Sequence, residues 1–583
     1  MLCAAGTLYG CKDFLTSASI PQGTLDATTL ANKAGVEGTL IAAYRALDRT
    51  NASPGNWGSA ASNWIWGSVT SDDAYKGSEA TDQPAIDPIE QYQWSAPAVE
   101  AELNDKWRQA YEGVVRSNAT INLLKSVVAS KPGELAAVDA KGIEGEALFL
   151  RAHYHFEAWR MWGNIPYFRE TDTDFGKANL TQAEGAAEIL KDLDAAIALL
   201  PTTPRNGQKG RVTQWTAKAY KGRVQVYAGQ FANALATLRD VRANGPYALE
   251  TSYDHVWTGF FDLENGPETI LAYQASANDG QAVGDNSSWG EQLNFPHGAS
   301  PFGCCGFHQP SQNLVNFFAT DATTGLPAAW TNPNWNASNT NFVGGSATPV
   351  DPRLDFTVGR DGVPYKDWGV EQPTWIRDKA WGGPYNAKKS VHEKSSGAES
   401  KVGAWGNNTH LTSVNVHIFR YADMLLLLAE AEVEAGILEN ARTIVNEIRV
   451  RAGRKVQGPG IDRATIAVDP ATTSTPWATY RIGTYTTPFA DQATARTAVR
   501  YERRLELAME GQRFFDLRRW GIADQVLNAY IQGVAGGAEK NRIGHLASTA
   551  TFTTKHALYP IPPIQIELSK GGSGGGLKQN TGW

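Results

Sequence analysis

The chain has 583 residues, 42% hydrophobic and 19% charged, a composition that suits a large folded protein with ample core. Its formal net charge is -7 and its sequence pI about 5.9, so there is no global positive field to hold nucleic acid. The longest apolar runs fall short of the roughly 18 residues that a membrane-spanning helix needs. Aromatic residues make up 10% of the chain and include 19 tryptophans, and such a content is common in proteins that bind sugars.

The chain begins with "MLCAAGTLYGCKDFL", a short apolar run followed by a glycine, a cysteine and polar residues. This order resembles the end of a bacterial lipoprotein signal, in which the cysteine takes the lipid and becomes the first mature residue. A basic leader is lacking and the apolar run is short, so residues 1–11 are predicted to be a truncated signal remnant. Cys11 is the predicted lipidation site, and we expect the lipid to be the sole membrane attachment. The alternative is an ordinary buried cysteine.

Apolar residues recur at helical spacing over four early segments, and a long stretch without this period separates the first two. The period predicts helices over most of 28–50, 98–128, 135–162 and 182–200. The intervening residues 51–97 are predicted to be loops. These helices form the first part of a scaffold assigned to residues 12–250.

Two later segments have the pattern of a tetratricopeptide-like helical hairpin. In residues 216–241, small residues stand where two helices would touch, and Gly229 marks the turn before Ala234 opens the second helix. In residues 420–453, Gly436 precedes Ala441 by the same five positions. Stacked helix pairs bury each other's faces, so the sequence predicts a mostly α, helical-repeat scaffold whose C-terminal part covers 415–583.

Residues 251–414 lie between the two hairpins and nearly lack helical periodicity, apart from the short "SQNLVNFFA". Glycine, asparagine, proline and serine dominate this stretch, which also contains eight tryptophans: 257, 289, 330, 335, 368, 375, 381 and 405. So many aromatic residues argue against disorder. A long loop-rich region in a folded protein is usually functional, so we predict an insertion that contributes the ligand face.

Four cysteines are too few for a disulfide framework. The adjacent Cys304 and Cys305 could close a disulfide in an oxidising compartment, and without a second CxxC or a spaced histidine they give little support for zinc. His153 and His155 would face different sides of a helix, and no HExxH or calcium-loop pattern occurs. We therefore predict no metal and no cofactor, and a structural ion bound by loop carboxylates is the alternative.

Several segments together resemble the SusD/RagB family. They are "LFLRAHYHFEAWRMWGNIPYF", "FRYADMLLLLAEAEVEAG", "YERRLELAMEGQRFFDLRRWG" and the C-terminal "YPIPPIQIELSKGGSGGGLKQNTGW", with further pieces in the middle of the chain. The resemblance implies a tetratricopeptide-like scaffold with a loop-rich insertion, in a surface-exposed outer-membrane lipoprotein. It further implies a non-catalytic protein that captures glycan and delivers it to a SusC-like TonB-dependent transporter. Capture of peptides or another polymer, and a protein–protein adaptor, remain alternatives.

Three sets of carboxylates have the residue types of a glycoside-hydrolysis pair: Asp72 with Asp73, Asp351 with Asp355, and the helical set Glu502, Glu506 and Glu510. Adjacent Asp72 and Asp73 are expected to point apart, and flanking arginines can neutralise the glutamates. The resemblance implies no hydrolysis either, so we predict no catalytic residues.

Sugar recognition needs flat aromatic rings for stacking and planar polar side chains for hydroxyls. The early loops and the insertion contain both, and family binding faces are built from these regions. The candidate ligand-binding residues are Trp66, Asp73, Trp94, Asn286, Trp289, Trp330, Asn332, Asn334 and Trp335.

The segment "YERRLELAMEGQRFFDLRRWG" is nearly neutral, with five arginines against four acids, which does not suit nucleic acid. We predict a scaffold helix that ends near Gly511. Glu510 with Arg513, and Asp516 with Arg519, are predicted ion pairs.

Overall fold

The computed structural model of the protein describes residues 27–48, 57–281, 284–328, 348–402, 410–458, 472–533 and 538–583. The α-helices are α1 Ala27–Leu30, α2 Lys33–Arg45, α3 Asp87–Glu90, α4 Pro97–Ser130, α5 Ala137–Trp162, α6 Gln182–Leu199, α7 Gln214–Tyr227, α8 Phe231–Asn244, α9 Gln312–Phe317, α10 Arg353–Thr357, α11 Lys379–Gly382, α12 Tyr421–Glu434, α13 Leu438–Ala452, α14 Gln492–Leu507, α15 Arg513–Arg519, α16 Ala523–Gln532, α17 Glu539–Arg542 and α18 Pro563–Ser569. The strands are β1 Ala74–Gly77, β2 Thr269–Tyr273, β3 Phe307–Pro310, β4 Val358–Gly359, β5 Asn386–Ala387, β6 Val416–Arg420, β7 Thr472–Ser474 and β8 Thr479–Arg481.

The mostly α, helical-repeat fold predicted from the sequence is confirmed. α4 packs on α5, α5 on α6, α6 on α7 and α7 on α8, so consecutive helices form a continuous stack. α8 also contacts α12, which in turn packs on α13 and α14. Through this contact the two parts of the scaffold, separated by more than 170 residues of sequence, share one core.

Both predicted hairpins form, as α7–α8 and α12–α13. Gly229 and Gly436 occupy the turns with φ of +70° and +77°, a conformation that favours glycine. Gly222 permits close packing inside the first hairpin, since a Cβ there would lie 2.2 Å from Leu238 Cδ2. Ala441, in the position equivalent to the buried Ala234, is also fully buried.

Helices α5 and α12 lie in the middle of the stack. Every residue of α5 from Gly145 to Trp162 is buried, and so is every residue of α12 from Tyr421 to Val433. Such burial on all sides is expected of helices enclosed by others. Polar side chains in them are therefore paired: Arg151 binds Asp192, and His153 contacts the Tyr220 hydroxyl.

The C-terminal motif departs from the prediction in two ways. α14 ends at Leu507 because Met509 and Gly511 take φ of +64° and +67°. Glu510 does not pair with Arg513: it binds Arg420 and Lys389, at 2.7 and 2.6 Å. The predicted pair between Asp516 and Arg519 is present, at 2.8 Å.

A buried ionic network joins the motif to the rest of the chain. Glu506 accepts hydrogen bonds from Arg353 of α10, Arg420 of β6 and Arg451 of α13, and all four side chains are essentially unexposed. Burial alone would raise the pKa of Glu506, but Arg451, Arg420 and Arg353 hold it well below its usual range. The carboxylate is thus ionised in the core and links the scaffold to the insertion.

Among the described residues of 251–414, the longest helix has six residues and the longest strand five. Two antiparallel pairings anchor this stretch: β1 with β3, and β2 with β6. Cys304 and Cys305 form a disulfide. The boundaries 1–11, 12–250, 251–414 and 415–583 stay predictions.

Candidate functional site

Three of the predicted stacking tryptophans lie in the core. Trp66, Trp94 and Trp289 are 0%, 2% and 2% exposed. Each indole N–H donates to a backbone carbonyl, of Gly58, Ile89 and Gly284 respectively. Because no ring face reaches solvent, these three cannot act as surface platforms, and the prediction is corrected for them. Their apolar bodies and satisfied N–H groups serve packing.

Asp73 is also buried, and it accepts a hydrogen bond from Arg504 at 2.9 Å. Asp72 binds the same guanidinium at 3.0 Å and also Arg513. The expectation that the two adjacent carboxylates point apart is therefore wrong, since one arginine holds both. Burial raises the pKa of Asp72, but Arg504 and Arg513 outweigh it and lower the pKa to about 2. Asp73 is thus bound in a structural contact and is not available to a ligand.

Asn286 is half-buried and donates to Asp279 at 2.6 Å. It lies at the edge of a cavity of about 460 Å³ beside Tyr44 and Tyr273, and none of the other described candidate residues lines that cavity. Trp330, Asn332, Asn334, Trp335 and Cys11 lie outside the described residues, and their predicted roles remain proposals.

Within the described part of 251–414, the tryptophans divide by exposure. Trp257, Trp289 and Trp375 are buried, whereas Trp368 and Trp381 are partly exposed. Trp368 donates its N–H to the His392 carbonyl and packs on Phe302. Trp381 lies on α11, a helix whose first turn is capped by Asp378.

Trp381 lies where the early loops meet the insertion. Its ring stacks on His545 with centroids 4.0 Å apart, and Lys76 Nζ lies 5.3 Å from the ring centroid. Its indole N–H has no hydrogen-bond partner. The indole nitrogen itself is buried, but the partly exposed ring can still gain contacts from a ligand, unlike Trp66 or Trp94.

Arg377, two residues before α11, reaches across to the loop that follows β1. Its guanidinium lies 2.6 Å from Asp82 and 3.2 Å from Glu79, and it donates to the Ser78 hydroxyl at 3.0 Å. The side chains of Arg377, Asp82 and Glu79 are a quarter to a third exposed, whereas Ser78 is buried. We call Ser78, Glu79, Asp82, Arg377 and Trp381 the rim cluster.

A buried lysine holds the rim cluster in place. Lys76 is unexposed and donates to the carbonyls of Glu79 and Asp82, at 3.0 and 2.9 Å. Its Nζ lies 2.9 Å from Asp87. Burial raises the pKa of Asp87 to about 6 in spite of this lysine. These hydrogen bonds from Lys76 fix the backbone of loop 78–82, so the polar side chains of the loop are preorganised for a ligand.

The rim cluster combines a ring with planar polar groups, the pattern expected of a sugar site in the early loops and the insertion. Its members were missed, although Trp381 is one of the eight tryptophans of the insertion. The sequence could not predict the contacts of Arg377, because its partners lie almost 300 residues earlier in the chain. Side chains that meet through the fold cannot be grouped by spacing alone.

The carboxylates considered for catalysis are bound by basic groups: Asp351 by Arg353, and Asp355 by Arg360. A possible metal-ligand group in the described chain is Asp87, Glu90 and His545, whose donor atoms lie within 4.8 Å of one another. The Lys76 ammonium already supplies a positive charge beside Asp87, which opposes cation binding there. No helix in the described ranges is long and apolar enough to cross a membrane.

Comparisons with known proteins match nearly the whole chain. Residues 267–583 match the SusD family, and residues 43–226 match a family described as starch-binding and associating with the outer membrane. SusD-like protein P38 of Formosa agariphila is 23% identical over 455 residues, which cover 75% of each chain.

Solved structures share the fold at low identity. A SusD-like protein from Bacteroides fragilis is 20% identical with a TM-score of 0.67, covering 96% of this chain and 99% of that one. Surface glycan-binding protein A from Bacteroides thetaiotaomicron, solved in complex with laminarihexaose, is 19% identical with a TM-score of 0.59, covering 94% and 99%. At these identities the likeness establishes the fold.

Proposed function

This chain belongs to the SusD family, and from that membership we propose that it captures glycan at the cell surface and delivers it to a partner TonB-dependent transporter. Capture involves no chemistry on the sugar. The solved relative that holds laminarihexaose supports a glycan as the ligand class. The observation that carries the proposal is the rim cluster, which places a half-exposed indole beside an exposed guanidinium and two carboxylates.

Each part of the rim cluster has a distinct role in this proposal. The exposed part of the Trp381 ring packs against the apolar face of a sugar. Asp82 and Glu79 accept from hydroxyls, while Arg377 donates to ring or glycosidic oxygens. Because Lys76 fixes the loop beneath, little conformational entropy is lost when the sugar binds.

The test is affinity electrophoresis and calorimetry with the purified protein and a panel of glycans that starts from laminarin. We expect Trp381→Ala to weaken binding about two- to twelvefold, since a stacked aromatic contact contributes about 0.5–1.5 kcal/mol. Trp215→Ala, which removes a half-exposed scaffold indole on α7, is the matched control and leaves binding unchanged. Melting temperatures of both variants should stay close to that of the wild type.

Trp330 and Trp335 stay in the proposal as further ligand contacts. The double variant Trp330→Ala/Trp335→Ala is expected to weaken glycan binding without lowering the melting temperature. Equal binding by this variant, by Trp381→Ala and by the wild type would refute a tryptophan platform. Lack of binding to every glycan of a broad panel would refute glycan capture itself.

Peptide capture is the second candidate, since within the described chain β2 pairs with β6 on one side and with no strand on the other. A peptide array read beside the glycan panel separates the two. Delivery is tested by co-purification with a transporter encoded beside this protein's gene. We expect a stable complex; its absence under mild detergent extraction would refute the partner proposal.

A further inference from the structure

We propose that the ligand face selects neutral glycans and rejects anionic ones, such as uronic-acid or sulfated polysaccharides. This inference rests on the proposed function and deepens it by naming the substrate class. Residues 251–414 contain sixteen acidic and nine basic residues, a net formal charge of -7 that equals the net charge of the whole chain. The remaining residues are therefore neutral in sum, and the excess negative charge is concentrated in this stretch.

The excess of negative charge is greater at the surface of this stretch, because more than half of its basic residues are buried. Five of the nine basic residues are buried, and they bind carboxylates or carbonyls inside the protein: Arg353, Arg360, Lys366, Lys388 and Lys389. Nine of the sixteen acidic residues are exposed or half-exposed: Asp262, Glu264, Asp279, Asp285, Asp321, Asp361, Asp367, Asp378 and Glu399. Four basic residues remain at the surface: Arg377, Lys379, Lys394 and Lys401. The exposed surface of this stretch is thus negative.

The cation of the rim cluster is already neutralised. Arg377 binds both Asp82 and Glu79, so the rim cluster carries two negative charges against one positive. A uronate or sulfate entering here would have to displace one carboxylate and would face the other. Repulsion between like charges is strong where solvent is partly excluded, whereas hydroxyl groups can bind carboxylates without this penalty.

The test compares neutral laminarin with polygalacturonate and alginate, each by affinity electrophoresis and calorimetry. We expect the wild type to bind the neutral polymer and neither anionic one, with an affinity that changes little as salt is raised. Binding of an anionic polymer as tight as that of the neutral polymer would overturn the inference and leave glycan capture intact. Absence of binding to every glycan would instead overturn the proposed function.

A variant without the two rim-cluster carboxylates tests whether these groups cause the rejection of anionic glycans. Glu79→Gln/Asp82→Asn keeps the shape of the rim cluster but frees Arg377, so binding of polygalacturonate should increase by about fivefold or more. The matched control is Glu439→Gln/Glu567→Gln, which removes two exposed scaffold carboxylates and likewise frees the paired Arg442 and Lys570. The control has the same net charge and should gain nothing. Equal gains in both variants, or none in the first, would show that the rim cluster does not set the selectivity.

Discussion

Removing the charge of Glu506 is expected to destabilise the whole protein. Glu506 is unexposed and lies between Arg353, Arg420 and Arg451, which belong to three different elements. In Glu506→Gln the side-chain volume is nearly unchanged, but three buried guanidinium groups lose a negative charge that they share. An uncompensated buried charge costs far more than the net stabilisation of the intact pair.

The size of the effect follows from this geometry. Breaking a buried ion pair from one side costs about 3–5 kcal/mol. Unfolding entropy of about 2.1 cal/mol/K per residue gives about 1.2 kcal/mol/K for a chain of this length if it unfolds as one unit. The melting temperature should therefore fall by about 3 °C.

The assay is differential scanning calorimetry at pH 7, with Glu567→Gln as control because its side chain is 69% exposed. We expect no measurable shift for the control, since surface ion pairs contribute little. Because the arginines lower the pKa of Glu506, its contribution is present above the unfolded pKa of about 4.3 and is lost as the pH falls through the folded value. A melting temperature for Glu506→Gln within experimental error of the control would refute the reasoning.

Three further predictions concern other parts of the chain. Gly67→Ala should lower the melting temperature strongly, because its Cβ would lie 1.8 Å from the backbone oxygen of Gly511; Gly38→Ala, with open space around it on α2, should raise it slightly. Burial raises the pKa of Glu102 to about 7, so the folded protein retains up to that pH a proton that the unfolded chain loses at about pH 4.3, and stability falls between the two values. Glu102→Gln removes this loss, and its melting temperature relative to the wild type should rise by about 2 °C from pH 5 to pH 8 in calorimetry; a constant difference would contradict the assignment. Cys11→Ala, expressed in cells that process lipoproteins, should abolish fatty-acid labelling and membrane retention in cell fractionation, and retained labelling would exclude Cys11 as the lipid site.

The helical scaffold could be predicted because its signals are local. The period of 3.6 residues located α4 to within two residues at each end, and the spacing from Gly229 to Ala234 identified a hairpin turn. The helix end at Leu507 was missed because Met509 takes a positive φ. The sequence does not predict this conformation, because it is uncommon in residues other than glycine. Local pattern determines a helix, but its end depends here on the packing of Gly511 against Gly67.

The ligand site was harder to predict because exposure is a property of the folded chain. Trp66 and Trp381 both stand in glycine-containing loop sequences, yet one is enclosed and the other reaches the surface. Asp73 looked available for hydrogen bonding, but Arg504, over 400 residues later, binds it. Only the region, where early loops meet the insertion, could be argued from residue types.

Hydrogen–deuterium exchange of the protein with and without its tightest-binding glycan tests the central claim most directly. We predict protection of residues 76–90 and 372–383, which carry the rim cluster, with no change in α7 and α8. Protection confined to the helical scaffold, or to the cavity beside Tyr273 and Asn286, would contradict the account.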